Sequence, residues 1–114
     1  MGKLILGGVV CVAAVAAILL SIQEQQIRLA SEAAHAQLED VIVSGGTRTA
    51  AEVHQQMGRD PDEARRPGKH RLVEEYRWAG HFRTYTVYVY YSTAATELLT
   101  AVSINEPMPD WEQE

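Results

Sequence analysis

The hydrophobic and polar positions divide the chain into an apolar first segment and a mixed remainder. Residues 4–22 read LILGGVVCVAAVAAILLSI and contain no charged residue. A helix of about 20 apolar residues spans the apolar core of a bilayer, which is roughly 30 Å thick. The pattern predicts a transmembrane anchor over residues 1–22, with a lipid bilayer as the partner of residues 4–22. A cleaved signal peptide with a small-residue site at 14–16 is the alternative, but residues 18–20 are too apolar for a mature N-terminus.

Polar residues that favour helix follow the apolar segment. Residues 23–40 read QEQQIRLASEAAHAQLED and contain no Gly or Pro. Apolar residues recur there every three or four positions, which is the spacing of one helix face. This stripe consists of Ile27, Ala30, Ala34, Leu38 and Val41. We therefore expect the anchor to continue as a juxtamembrane helix over residues 23–43, ended by the glycines at 45 and 46.

A capping box marks the start of a folded domain. Thr49 precedes Glu52 by three positions, so each side chain can bond the other's backbone amide at a helix start. The helix that follows ends at Gly58, and the Asp-Pro pair at 60–61 resembles the start of a second, one-turn helix. The sequence thus predicts one or two short helices in this part of the chain.

Three strand-like runs come next, at residues 72–78, 83–91 and 98–104. The connections between them are short enough for antiparallel hairpins. The expected fold is α+β: the transmembrane and juxtamembrane helix, then one or two short helices packed on a three-stranded antiparallel meander. This small domain occupies residues 44–105, and an acidic, disordered tail covers residues 106–114.

Alternation in the middle strand separates two faces. Val87 and Val89 share one face, which we assign to the core under the helix of Val53. Tyr88 and Tyr90 point the other way, where little chain remains to cover them except the helix of residues 23–40. Seven of the eight aromatic residues lie between positions 76 and 91. We therefore expect a partner-binding surface formed by Trp78, Phe82, Tyr85, Tyr88, Tyr90 and Tyr91; simple cross-strand packing of the tyrosines is the alternative.

Charge and cysteine content exclude several classes of protein. The chain has 114 residues and a net charge of −5, which argues against a nucleic-acid binder. Its single cysteine, Cys11, excludes a disulfide-stapled scaffold. The one basic cluster is flanked by acidic residues, so we interpret it as a solvated loop with local ion pairs. That cluster consists of Arg65, Arg66, Lys69, His70 and Arg71.

A motif of the form G-T-R-T-x-x-E-V-x-x-x-M-G-R-D-P, followed by Y-R-W, resembles the SmpA/OmlA (BamE-like) family of small bacterial envelope domains. The resemblance covers residues 44–104 and rests on caps, turns and core positions: Gly46, Thr47, Thr49, Val53, Gly58, Pro61, Tyr76 and Trp78. It implies an accessory scaffolding role of the kind that family members have in outer-membrane protein insertion, and it carries over no catalytic group. The chain departs from the family in lacking the sequence for a lipid-modified cysteine.

These features predict a membrane-anchored, non-enzymatic envelope protein that acts as a small interaction or scaffolding domain. Lys3 before the apolar segment favours a single-pass arrangement with the domain on the periplasmic or extracytoplasmic side. The expected partner is another envelope protein, with no nucleic acid, cofactor or small-molecule substrate. Two alternatives are a pilin-like structural subunit and a metal-binding or catalytic domain that uses His54, His70 and His81.

Overall fold

A long helix and an antiparallel sheet form most of the molecule. The computed structural model describes residues 2–94 and 96–112, and the side chains of residues 11–94 and 96–111. The sheet is four-stranded in the order β1-β2-β3-β4, and the fold is α+β. In chain order the elements are α1 (Gly2–Val43), α2 (Ala50–Met57), β1 (Glu63–Gly68), β2 (Arg71–Ala79), β3 (Thr84–Ser92), β4 (Leu98–Ile104) and α3 (Pro109–Glu112).

The expected transmembrane anchor over residues 1–22 is wrong. Along residues 2–94 and 96–112, no helix combines the length and the apolar character that crossing a membrane requires. The predicted single-pass location in a cell membrane is wrong for the same reason.

The expected three-stranded meander is also wrong, because residues 63–68 form a further edge strand. The sequence of β1, EARRPG, has no apolar alternation, and its Pro67 is tolerated because the strand lies at the sheet edge. β1 is stabilised by its pairing with β2 and not by the burial of an apolar face. Arg65 forms an ion pair with Glu75, and Arg77 bridges Glu63 and Glu75. The segment interpreted as a basic loop therefore includes a strand held by charges across the ladder.

One sheet face, called here the helix face, carries the main core. The predicted packing of Val53 on Val87 and Val89 is confirmed, since all three side chains are fully buried in one cluster. Leu38 of α1 joins this cluster, so α1 and α2 cover the same face together. A bulge after Tyr90 in the β3–β4 register brings Leu99 of β4 against it as well.

The cap signals of α2 appear in the structure as the sequence predicts. The Thr49 hydroxyl accepts from the Glu52 amide, and the Glu52 carboxylate accepts from the Thr49 amide. Gly58 ends the helix at φ 74°, a left-handed conformation that glycine adopts without steric cost. Residues 60–61 begin no helix; the chain passes through them into β1.

Residues 106–112 follow an ordered path, where the sequence predicted a disordered tail. Pro109–Glu112 form the single-turn helix α3, and the Trp111 ring lies 5.3 Å from the Tyr90 ring. The backbone amide of Met108 donates to the Tyr90 hydroxyl at 2.7 Å. Burial of these two aromatic rings against each other explains why this acidic, proline-containing segment docks. Residues 113 and 114 of the predicted tail lie outside the described residues.

Candidate interaction site

The alternation of β3 places the predicted tyrosines on two opposite faces of the sheet. Tyr85 and Tyr91 lie on the helix face and are buried. Tyr88 and Tyr90 lie on the other face, called here the tail face because α3 packs against it. The predicted set of aromatic residues is therefore distributed over two surfaces that a single flat partner cannot contact together.

The tail face leaves one of its two tyrosines half-exposed. Tyr90 is fully buried under Trp111, and its hydroxyl is hydrogen-bonded to Ser103 at 3.1 Å. Tyr88 is half-buried, with the Arg65 guanidinium 6.0 Å from its ring centre. Burial raises the pKa of Tyr88, and the nearby Glu75 carboxylate adds to that rise. Most of the aromatic area expected here for a partner is thus covered by the chain itself.

Trp78 lies at the edge of the helix face, and the guanidinium of Arg59 covers its ring. The Arg59 guanidinium lies 4.7 Å from its ring centre and donates to the Arg77 carbonyl at 2.6 Å. This arrangement is a cation–π contact worth about 0.5–1 kcal/mol at an exposed site. Arg59 follows the left-handed cap Gly58, so the end of α2 positions it. Arg59 therefore shields much of the indole face that a partner would contact.

A polar pair lies within the helix face. Glu74 is 4% exposed, and its two carboxylate oxygens lie 2.7 Å and 2.9 Å from Nε2 of His54. Burial raises the pKa of both Tyr76 and Tyr91, and the Glu74 carboxylate raises them further. The imidazole thus satisfies a carboxylate that the core would otherwise leave without a partner.

The three histidines of the metal-binding alternative are not brought together. His54 pairs with Glu74, whereas Nε2 of His81 lies 2.8 Å from the side-chain oxygen of Gln23. His70 and His81 flank opposite ends of β2, which a strand of that length separates by about 30 Å. In the part of the chain that the structure describes, no three His, Cys, Asp or Glu side chains are arranged to hold a metal ion.

The β2–β3 turn, residues 80–83, is fixed by an acidic side chain from α1. The Glu24 carboxylate accepts from the His81 amide at 2.6 Å, the Phe82 amide at 3.4 Å and the Tyr85 hydroxyl at 2.8 Å. A Cβ on Gly80 would lie 2.6 Å from this carboxylate and 2.5 Å from the Arg83 carbonyl oxygen. Only glycine permits that approach, so the turn and α1 are closely fitted.

These hydrogen bonds determine the ionisation of Glu24. Desolvation by itself raises the pKa of its carboxyl group. The hydrogen bonds from Tyr85, His81 and Phe82 oppose this effect, and the net result is a lowered pKa. Glu24 therefore keeps its charge at neutral pH and holds the turn as an anion. The Glu24 oxygen also raises the pKa of Tyr85, after desolvation, by accepting its hydrogen bond.

An open cleft of about 410 Å³ lies between α1 and this turn. Phe82 projects beside it with 70% of its surface exposed. Arg28 forms a second wall, and Arg83 stacks 5.0 Å from the Tyr85 ring at the edge of the turn. The full lining is Ser21, Glu24, Gln25, Arg28, Phe82 and Tyr85. We call these six residues the turn cleft.

Sequence reasoning identified Phe82 and Tyr85 but missed the α1 side of the turn cleft. Glu24 and Arg28 read as ordinary polar positions of an amphipathic helix. The one local signal was Gly80, a glycine between two aromatic strands, which indicates close backbone approach. Nothing in the sequence showed which side chain approaches it. Comparison of the chain with protein-family models, with curated proteins and with solved structures finds no match.

Proposed function

We propose that the protein is a non-enzymatic interaction module that binds another protein at the turn cleft. The observation that carries this proposal is Phe82, a large aromatic side chain 70% exposed on a turn that Glu24 holds in place. An exposed aromatic on a rigid support loses little conformational entropy when it becomes buried in a complex. Such residues are the usual energetic centres of protein interfaces.

The chemistry of the cleft favours a particular kind of partner segment. Phe82 and the Tyr85 ring offer apolar surface, and Arg28 and Arg83 place positive charge at its edges. Among the described residues, Arg28 forms an exposed ion pair with Glu32 at 3.8 Å, which is weak enough to exchange for another carboxylate. The site therefore suits a segment that carries an apolar side chain next to an acidic one.

The resemblance of residues 44–104 to the SmpA/OmlA (BamE-like) family supports a scaffolding role of this type. The matched residues that the structure describes act as caps and core, as with Thr49, Val53 and Gly58. They build the domain, while the turn cleft lies at the opposite end of the sheet from the Thr49–Leu98 bridge. The residues that carry the resemblance and the residues of the turn cleft are thus different sets.

Truncation of Phe82 tests the proposal. The full chain, tagged and purified from cells of its source, is compared with Phe82→Ala and with Leu98→Ala by quantitative mass spectrometry. Leu98 is a matched control, an exposed apolar residue 38% accessible and remote from the turn cleft. We expect a discrete partner to be depleted by Phe82→Ala and retained by Leu98→Ala, with both melting temperatures unchanged. Equal recovery with both variants would contradict the proposal.

A second candidate is the pilin-like structural subunit. This candidate is favoured because the two parts of α1 differ. Residues 11–22 are exposed, whereas Leu38 in the second part packs on the antiparallel sheet. In such a subunit the exposed half of the helix assembles with many copies into a filament. Electron microscopy of the concentrated full chain distinguishes the two: filaments support a subunit, and discrete particles support the interaction module.

A further inference from the structure

The exposed side of α1 carries a heptad pattern. Starting at Val12, residues spaced alternately by three and four positions follow one line along the helix to Val43. We call this line the α1 seam; its members are Val12, Val15, Leu19, Ile22, Gln26, Leu29, Ala33, Ala36, Asp40 and Val43. Eight of these ten side chains are apolar. The seam spans more than four heptads, a length at which such a pattern indicates a coiled coil.

The seam faces away from the protein's own sheet. The side chains of α1 that pack inward are a different set, with Ser31 and Leu38 fully buried and Ile27 half-buried. Among the described side chains, α1 exposes eight large hydrophobic residues, and six of them lie on the seam. Those six are between 47% and 78% exposed. The folded domain thus occupies one side of α1 and leaves the apolar line on the other side uncovered.

We propose that a second copy of this chain covers the α1 seam, forming a parallel two-stranded coiled coil. The occupant follows from the spacing, because knobs repeating every 3.5 residues fit the holes of another helix with the same repeat. α1 itself supplies that helix. The seam's length of about 48 Å, at 1.5 Å per residue, exceeds the minimum for a stable pair.

The two polar seam positions determine the orientation. In a parallel, in-register pair, Gln26 meets the Gln26 of the other copy, and each amide can donate to and accept from the other. In the antiparallel pair centred on the seam, Gln26 would face Leu29 and Asp40 would face Val15. That arrangement buries an amide and a carboxylate against apolar side chains. In the parallel pair the two Asp40 carboxylates meet one turn from the end of α1; they repel each other, and their exposure to water reduces this cost.

The dimer and the turn cleft use different sides of α1. Arg28 and Ser21 lie off the seam, while Leu29 lies on it. A failure of the dimer therefore leaves the proposed partner site intact, and a failure of that site leaves the dimer intact. If both hold, each assembly presents two turn clefts at the same height along the helix pair, on opposite sides of its two-fold axis.

Sedimentation velocity of the full chain at micromolar concentration tests the dimer. We expect a species near 25 kDa, twice the 12.6 kDa of one chain. Leu29→Lys should raise the dissociation constant by at least about tenfold, because it places two charges in an apolar layer. Arg28→Lys, one position away and off the seam, should leave the constant unchanged. A monomer, a larger or open-ended assembly, or equal effects of both variants would overturn the proposal.

Cysteine crosslinking tests the orientation independently. In a Cys11→Ser background and a glutathione buffer, we expect Val43→Cys alone to form a disulfide between copies, as residue 43 meets itself in the parallel pair. Arg28→Cys, which points away from the seam, should form at least about tenfold less. Disulfide formation only when Val12→Cys and Val43→Cys chains are mixed would establish an antiparallel pair and overturn the proposed arrangement.

Discussion

Two buried tyrosine hydroxyls, those of Tyr76 and Tyr91, have no hydrogen-bond partner among the residues that the structure describes. The rings fill the helix face, and the Glu74 carboxylate lies close enough to both hydroxyls to raise their pKa values. An unpaired buried hydroxyl costs about 1–3 kcal/mol of stability. These two groups therefore make the core less stable than its apolar packing alone would allow.

Tyr91→Phe should stabilise the domain by about 1 kcal/mol, because it removes the unpaired hydroxyl and keeps the ring. Chemical denaturation at neutral pH measures the change. Tyr90→Phe is the matched control, and it should lose stability because the Tyr90 hydroxyl is bonded to Ser103 and Met108. A loss with Tyr91→Phe as large as that with Tyr90→Phe would show that the Tyr91 hydroxyl has a partner.

Tyr91 also makes the folding stability of the domain decrease at high pH. Burial raises the folded-state pKa of Tyr91 above its unfolded value near 10. The unfolded chain therefore releases this proton first, and the stability associated with it is complete below about pH 10 and declines above that pH. Tyr91→Phe should show a shallower decline than the wild type between about pH 10 and 12.

Val53→Asp should unfold the domain. Val53 is fully buried between α2 and the sheet, and a carboxylate there has no partner. The cost of several kcal/mol compares with a total stability of about 5–15 kcal/mol. Ala51→Asp is the control in the same helix: it is exposed and lies in the first turn, where an acid is favourable. Circular dichroism melting that shows equal stability for both variants would contradict the packing of α2.

At the scale of elements, the contact between α1 and the β2–β3 turn depends on the charge of Glu24. Hydrogen bonds lower its pKa in the folded state, so their contribution is complete above the ordinary value and is lost as pH falls through the folded-state value. The amide proton shifts of His81 and Phe82 should therefore titrate in NMR spectra with a midpoint below about 4.3. Glu24→Gln should abolish that titration, and Glu32→Gln should not. A midpoint at or above the ordinary value would contradict the hydrogen bonding of Glu24 to the turn.

The sequence identified elements whose signals are local. The capping box of Thr49 and Glu52 depends on residues three positions apart, and the alternation of Val87 and Val89 depends on neighbours in one strand. β1 was missed because its pairing energy comes from charges on β2, which no pattern within EARRPG reveals. The turn cleft was only half identified for the same reason, since Glu24 and Phe82 are 58 positions apart.

At the scale of the whole molecule, α1 joins two distinct surfaces. Its inward side packs on the helix face and holds the turn through Glu24, and its outward side carries the seam. The extents of the described structure, 74 × 27 × 21 Å, reflect a helix that extends well beyond the sheet. A chain of this shape has the turn cleft at the base of the projecting helix.

Site-specific photo-crosslinking from the turn cleft tests the proposed function most directly. A photoreactive residue replaces Ser21, which lines the cleft off the seam, or Gln56 on the exposed side of α2 as control. We predict a discrete crosslinked product from position 21 in cells, absent from position 56 and lost when Phe82→Ala is added. A product of twice the chain mass would identify a second copy instead of a different protein. No product from position 21, or one that Phe82→Ala leaves unchanged, would contradict the assignment of the turn cleft as the binding site.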